Sequence, residues 1–163
     1  LKKINYSRTI ISMAVCSLIG VVSGYITQSS VTIWFSNIEK PFFNPPHWTF
    51  IPVWIILHVL MGYSFAQIWS REPVSPRSKK IVNNAMIIFG IQLALNFLWT
   101  YIFFALCNPF LALIEILLLW LFIFETIKAF YVIDRYAARL LLPQLAWASF
   151  SAVLNGAIWW LNC

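Results

Sequence analysis

The stretch Lys40-Pro41-Phe42-Phe43-Asn44-Pro45-Pro46-His47-Trp48-Thr49-Phe50-Ile51-Pro52-Val53-Trp54 decides how the rest of the chain is read. It holds four of the eight prolines, two of the nine tryptophans and one of the two histidines. Pro45 and Pro46 lack backbone donors and fix φ, so residues 41–46 are expected to form a stiff, extended loop. Trp48 and Trp54 flank Pro52 at the start of a long apolar run. Proline is tolerated in the first turn of a helix, where its missing N–H would be unpaired anyway. The stretch therefore predicts a rigid aromatic loop feeding directly into a helix. Two roles fit such a loop: an aromatic belt at a membrane surface, or the lid of a binding cavity.

Composition narrows the class. The 163 residues suit one domain, and 61% are hydrophobic, 18% aromatic and only 10% charged. A soluble domain of this make-up would expose far too much apolar surface, which points to an integral membrane protein. The net charge of +6 lies in short segments between apolar runs. That pattern describes membrane topology rather than a phosphate-binding face, so no nucleic-acid partner is expected. Cys16, Cys107 and Cys163 are too dispersed for a metal motif and too few for a disulfide framework. Lys2, Lys3 and Arg8 resemble the start of a signal peptide, but the apolar run continues to about residue 26 without a clear cleavage site. A first spanning helix is the better reading.

A spanning helix needs about 20 mostly apolar residues. Five stretches qualify, at roughly 9–28, 48–69, 81–106, 109–133 and 140–162. The predicted fold is an all-α integral membrane protein, a single domain over 1–163 folded as a bundle of five transmembrane helices. Gly20 and Gly24 form a close-packing pattern in the first span. The short connection Cys107-Asn108-Pro109 makes the third and fourth spans antiparallel neighbours. With five spans, Lys2, Lys3 and Arg8 share one side with Arg71, Arg77, Lys79 and Lys80, and with Lys128, Arg135 and Arg139. The positive-inside rule places the N-terminus inside and the proline–tryptophan loop outside. A bacterial cell membrane is the expected location, with the mitochondrial outer membrane as the alternative.

Helical spacing then sorts faces. In the third span Gln92, Asn96 and Trp99 share one face, while Gly90, Ala94 and Phe97 lie nearly opposite. An unpaired amide facing lipid costs several kcal/mol, so the first face should turn inward. Two readings stay open for its amides, interhelical hydrogen bonding and cavity lining. The Gly90/Ala94 face suits close contact with another helix, in a homodimer for example. In the second span Trp54, His58, Met61 and Phe65 form one stripe. His58 is read as hydrogen-bonded rather than as a haem ligand. In the fifth, Trp147, Phe150 and Leu154 run beside the small strip Ser149, Ala152 and Gly156, with Asn155 as a further amide. Glu125 is placed to pair with Lys128, whereas Glu115 has no local partner. No nucleophile–base set, phosphate loop, carboxylate pair or metal cluster appears, so conventional enzyme chemistry is not expected.

These residues resemble the translocator protein / tryptophan-rich sensory protein family, also called the peripheral-type benzodiazepine receptor family. The resemblance rests on Trp34-Phe35, Lys40-Pro41, Pro45-Pro46-x-Trp48-x-Phe50-x-Pro52-Val53-Trp54, Met61-Gly62, Gln92-Leu93-x-x-Asn96-x-x-Trp99 and Leu142-Pro143-x-x-x-Trp147-x-x-Phe150-x-x-x-Leu154-Asn155, over nearly the whole chain. It implies a five-helix bundle, often dimeric, with a cavity closed by the first loop. It also implies binding of porphyrins (protoporphyrin IX or haem) and other flat hydrophobic ligands, with no cofactor required and membrane lipid as surroundings. The ligand-binding set carried over by position is Trp34, Phe35, Pro45, Trp54, His58, Asn96, Trp99, Trp147 and Ser149. Sensing, transport and disposal are all implied roles; light- and oxygen-dependent porphyrin degradation is the enzymatic alternative, with Trp54 and Trp147 as candidate catalytic residues, and lipid or sterol transport is the other. The chain departs from the family's habit at Phe35 and Gln144, where Tyr is common, at His58, where an aromatic is common, and at Ser149, where Ala is common. The family's C-terminal sterol-contact segment has no counterpart before Cys163, so tight sterol binding is not expected.

Overall fold

The computed structural model describes residues 5–163, apart from the side chains of Ser29 and His47. Lys2 and Lys3, used in the charge pattern, lie outside the described residues. The helices in chain order are α1 (Tyr6–Ser30), α2 (His47–Trp69), α3 (Pro76–Thr100), α4 (Pro109–Ile133), the short α5 (Arg135–Arg139) and α6 (Leu142–Leu161). α1 continues into a π-helical turn, Val31–Phe35, and α3 into another, Tyr101–Ala105. There is no strand among the described residues. Five stretches are long and apolar enough to cross a membrane. The chain is an integral membrane protein built as a five-helix bundle.

The second and fourth spans fall where the hydropathy puts them, at Trp48–Trp69 and Pro109–Ile133. The others differ at their ends, where local polar chemistry overrides the apolar pattern. The first span is expected to stop at 28, yet the chain stays helical to Phe35. Polar residues near its end bond back onto the helix: Thr27 Oγ1 donates to the Ser23 carbonyl (2.8 Å), and Asn37 Nδ2 donates to that of Ile33 (2.6 Å). α3 starts at Pro76 rather than 81. Ser75 and Ser78 build a reciprocal cap, with Ser78 N donating to Ser75 Oγ (3.2 Å) and Ser75 N to Ser78 Oγ (3.0 Å). α5 precedes the fifth span because Asp134 Oδ1 accepts from the amides of Tyr136 (2.9 Å) and Ala137 (3.2 Å). Pro52 lies in the second turn of α2, not the first, because that helix already begins at His47.

Packing is set by glycines at one seam and aromatic rings at the two ends of the bundle. α1 crosses α2 so closely that a Cβ on Gly62 would lie 2.6 Å from Met13 Cα. Gly20 is the α1 position that abuts the His58 ring; Gly24 meets nothing within 4 Å. Toward one end, Phe89 stacks between Phe65 (4.8 Å between centroids) and Phe130 (5.8 Å). Toward the other, Phe35, Phe103 and Phe104 pack with Leu154 and Ile158. The α3–α4 hairpin closes through Cys107, whose φ of 50° is a left-handed value uncommon outside glycine.

The charges divide as the topology requires. Arg8 Nη1 donates to the Trp69 carbonyl (2.6 Å) and Arg71 pairs with Asp134 (2.6 Å), which gathers the N-terminal segment, the α2–α3 connection and the start of α5 at one end. Glu125 pairs with Lys128 at 2.8 Å, as their spacing predicts. The opposite end carries the loop of residues 36–46. There the Asn162 side chain brackets Glu39: Oδ1 accepts from its amide (2.9 Å) and Nδ2 donates to its carbonyl (2.9 Å).

Candidate functional site

Beneath that loop the helices surround two small, neighbouring spaces. The lower is a chamber of about 30 Å³ between Trp54 and His58 of α2, Asn96 and Trp99 of α3, and Trp147 of α6, with Ile116, Leu119 and Ile123 of α4 behind. The upper, of about 20 Å³, is walled by Phe35, Phe50, Phe103 and Phe104 and shares Trp99 and Ser151 with the chamber. Trp54 and Trp99 approach with centroids 6.4 Å apart and rings tilted by 49°. Phe50, one turn before Trp54, meets Trp147 edge-on at 5.9 Å. The proline-rich stretch thus delivers two aromatic rings into the wall, while Trp48 stays 70% exposed on the outside of α2.

The α2 stripe read from the sequence is split by its depth. Trp54, His58 and Met61 line the chamber; Phe65, one turn on, stacks on Phe89 in the core instead. His58 is 3% exposed, and its Nδ1 lies 2.8 Å from the Trp54 carbonyl, an oxygen that can only accept. Nδ1 therefore carries the proton and Nε2 is left with its lone pair. Among the described residues no protein group bonds Nε2. Gly20 packs against Cγ, Nδ1 and Cδ2 of the ring, so Nε2 is the end remote from α1.

Two glutamines stand beside it. Gln92 Nε2 donates to Gln144 Oε1 at 2.9 Å and touches Met61 Sδ at 3.5 Å. Gln92 Oε1 and Gln144 Nε2 are both buried and without a protein partner. Asn155, in the wall of the upper space, differs: its Oδ1 accepts from Trp99 Nε1 (3.2 Å) and its Nδ2 donates to the Pro109 carbonyl (2.7 Å). Glu115 is buried with both carboxylate oxygens unpartnered, but it does not line either space. Among the described residues no three His, Cys, Asp or Glu side chains gather at metal-ligand range.

On the bilayer side, a groove of about 440 Å³ runs between α2 and α6 past Val53, Ile56, Pro143 and Phe150. Leu57 and Trp147 line both the groove and the chamber.

The structure thus brings Trp54, His58, Asn96, Trp99 and Trp147 together around the chamber, and sets Phe35 in the upper space. Trp34 packs edge-on against Phe103 at 5.5 Å and lines neither space; Pro45 lies in the loop. Ser149 faces α4, where Trp120 Nε1 donates to its Oγ at 2.8 Å; Gly156 faces Leu113 of the same helix. That small strip seats α6 on α4, and the chamber is lined instead by Ala148 and Ser151. The signal for the true inner face of α6 is the recurrence of Gln144, Ser151 and Asn155 at helical spacing.

The TspO/MBR family model matches residues 12–161. The chain is 36% identical over 150 residues to the tryptophan-rich protein TspO of Chlorobaculum tepidum, covering 92% of each chain. It is likewise 36% identical over 158 residues to the tryptophan-rich protein TspO of Archaeoglobus fulgidus, covering 97% of this chain and 99% of that one. To the translocator protein of Sus scrofa it is 33% identical over 153 residues, covering 88% and 85%.

Proposed function

Because the chain belongs to the TspO/MBR family, we propose that it is a membrane receptor for porphyrin-type tetrapyrroles and similar flat hydrophobic molecules. The observation that carries this reading is the indole-lined chamber, which shares Leu57 and Trp147 with a groove of about 440 Å³ between α2 and α6. A closed chamber of about 30 Å³ is far below the roughly 300–1,000 Å³ of an ordinary ligand site. Groove and chamber joined reach that range once Trp147 swings aside. A flat macrocycle then gains from stacking on Trp54, Trp99 and Trp147 and from leaving water for an apolar slot. Entry between α2 and α6 suits a ligand that is already dissolved in the bilayer.

Tryptophan-fluorescence quenching of the chain in lipid nanodiscs by protoporphyrin IX tests this. Saturable quenching is expected, weakened about tenfold or more by Trp147→Ala; quenching that never saturates removes the reading. A second reading, light- and oxygen-dependent porphyrin breakdown, is favoured by the 6.4 Å spacing of Trp54 and Trp99, which sets two oxidisable rings beside any bound photosensitiser. Trp54→Phe or Trp147→Phe would then slow spectral bleaching more than it weakens binding. Equal bleaching by wild type, variants and an unrelated membrane protein would remove it.

The surroundings follow from the same reasoning. The cation-rich end faces the inside of a bacterial cell membrane, which puts the loop outside. Gly90 and Ala94 lie exposed on the outer face of α3, and a Cβ on Gly90 would meet nothing within 4 Å. That flat strip suits a second copy of the chain, in a homodimer.

A further inference from the structure

The chamber lining is mostly apolar, with Asn96, Ser151, His58 and Gln144 as its polar side chains. At the end remote from the loop, His58 and Gln144 in the lining, and Gln92 bonded to Gln144, have their bonding left half made. His58 offers an unused acceptor at Nε2; Gln92 and Gln144, tied to each other at 2.9 Å, leave one acceptor and one donor unused. Exchanging the orientation of both amides keeps that count, one donor and one acceptor. Each residue is at least nine-tenths buried. Unpaired polar atoms in a bilayer are costly, and such groups are retained in folded proteins chiefly where something else completes them.

We propose that this end of the chamber is a recognition point for a carboxylic acid at the rim of the bound ligand, and that His58 and Gln144 determine that preference. This rests on the tetrapyrrole reading. An acid group presents a donor and an acceptor side by side. Its O–H donates to His58 Nε2, and its carbonyl oxygen accepts from the Gln144 amide N–H. The methyl and vinyl groups on the rim of protoporphyrin IX offer neither. The chamber, about 30 Å³, has room for a group of roughly that bulk, since one water needs only about 10–15 Å³ measured the same way. The macrocycle itself stacks nearer the loop, among the indoles. Lys40 is the rival explanation for any preference for acids. Its Nζ, however, is held by the carbonyls of Ile38 (3.0 Å) and Ser36 (3.3 Å) at the opposite, loop end.

The test compares protoporphyrin IX with its dimethyl ester, which keeps the ring and removes both acid donors. Affinities are read by fluorescence quenching of the full chain in nanodiscs. Wild type is expected to bind the free acid about tenfold more tightly than the ester. His58→Phe and Gln144→Leu should each bring the two ligands to within about twofold, with the thermal unfolding midpoint of each variant certifying its fold. Equal wild-type affinity for acid and ester overturns the inference and leaves the tetrapyrrole reading standing. A preference retained in both variants, or lost in Lys40→Gln alone, also overturns it. Binding of neither compound removes the tetrapyrrole reading, and this inference with it.

Discussion

Asn155 and Gln144 are both buried amides of α6, about three turns apart on one face, yet their bonding differs in kind. Asn155 is fully engaged, holding the Trp99 indole with one atom and the start of α4 with the other. Gln144 and its partner Gln92 share one bond and leave two atoms idle, beside a histidine with a third. Burial alone would call all of these structural. The count of unmet atoms separates an amide that ties helices together from amides that wait for a ligand.

Substitutions sharpen or break that contrast, and the largest effect belongs to the engaged amide. Asn155→Leu strands the Trp99 N–H and the Pro109 carbonyl, and about 2–3 kcal/mol of stability should be lost in thermal unfolding of the detergent-solubilised chain. An unchanged midpoint would erase the distinction. Gly20→Ala comes next. Its Cβ would sit 2.9 Å from His58 Cγ, so the ring must shift at a cost of about 1–2 kcal/mol. The shift should also weaken protoporphyrin IX binding, which the same quenching titration reads. The paired change Gln92→Leu with Gln144→Leu removes donor and acceptor together. Stability should then stay within about 1 kcal/mol of wild type while acid-over-ester selectivity disappears. A large loss of stability would make this pair structural after all. Ser149→Ala gives the smallest response. It costs one bond to Trp120 on a face open to the bilayer, about 0.5 kcal/mol or less, and should leave ligand titrations unchanged.

Much of this was legible in the chain. Hydropathy fixes five spans, and helical spacing turns Trp54, His58, Asn96 and Trp99 inward, because a long apolar run and a 3.6-residue period are properties of the string itself. The ends of helices were not legible to the same degree. Ser75 with Ser78, and Asp134 with the amides it caps, act through hydrogen bonds that hydropathy does not register. The small strip of α6 misled for another reason. Small residues permit close approach equally to a ligand or to a helix, and only the position of α4 decides that Ser149 and Gly156 meet Trp120 and Leu113. The idle atoms of Gln92, Gln144 and His58 depend on three helices at once, so no single stretch could announce them.

Asn162, at the end of α6, holds Glu39 of the loop through two hydrogen bonds. α6 also carries Trp147, which lines both groove and chamber. The helix that walls the groove is thus the one to which the loop over the chamber is tied, so a displacement of α6 would be felt at both.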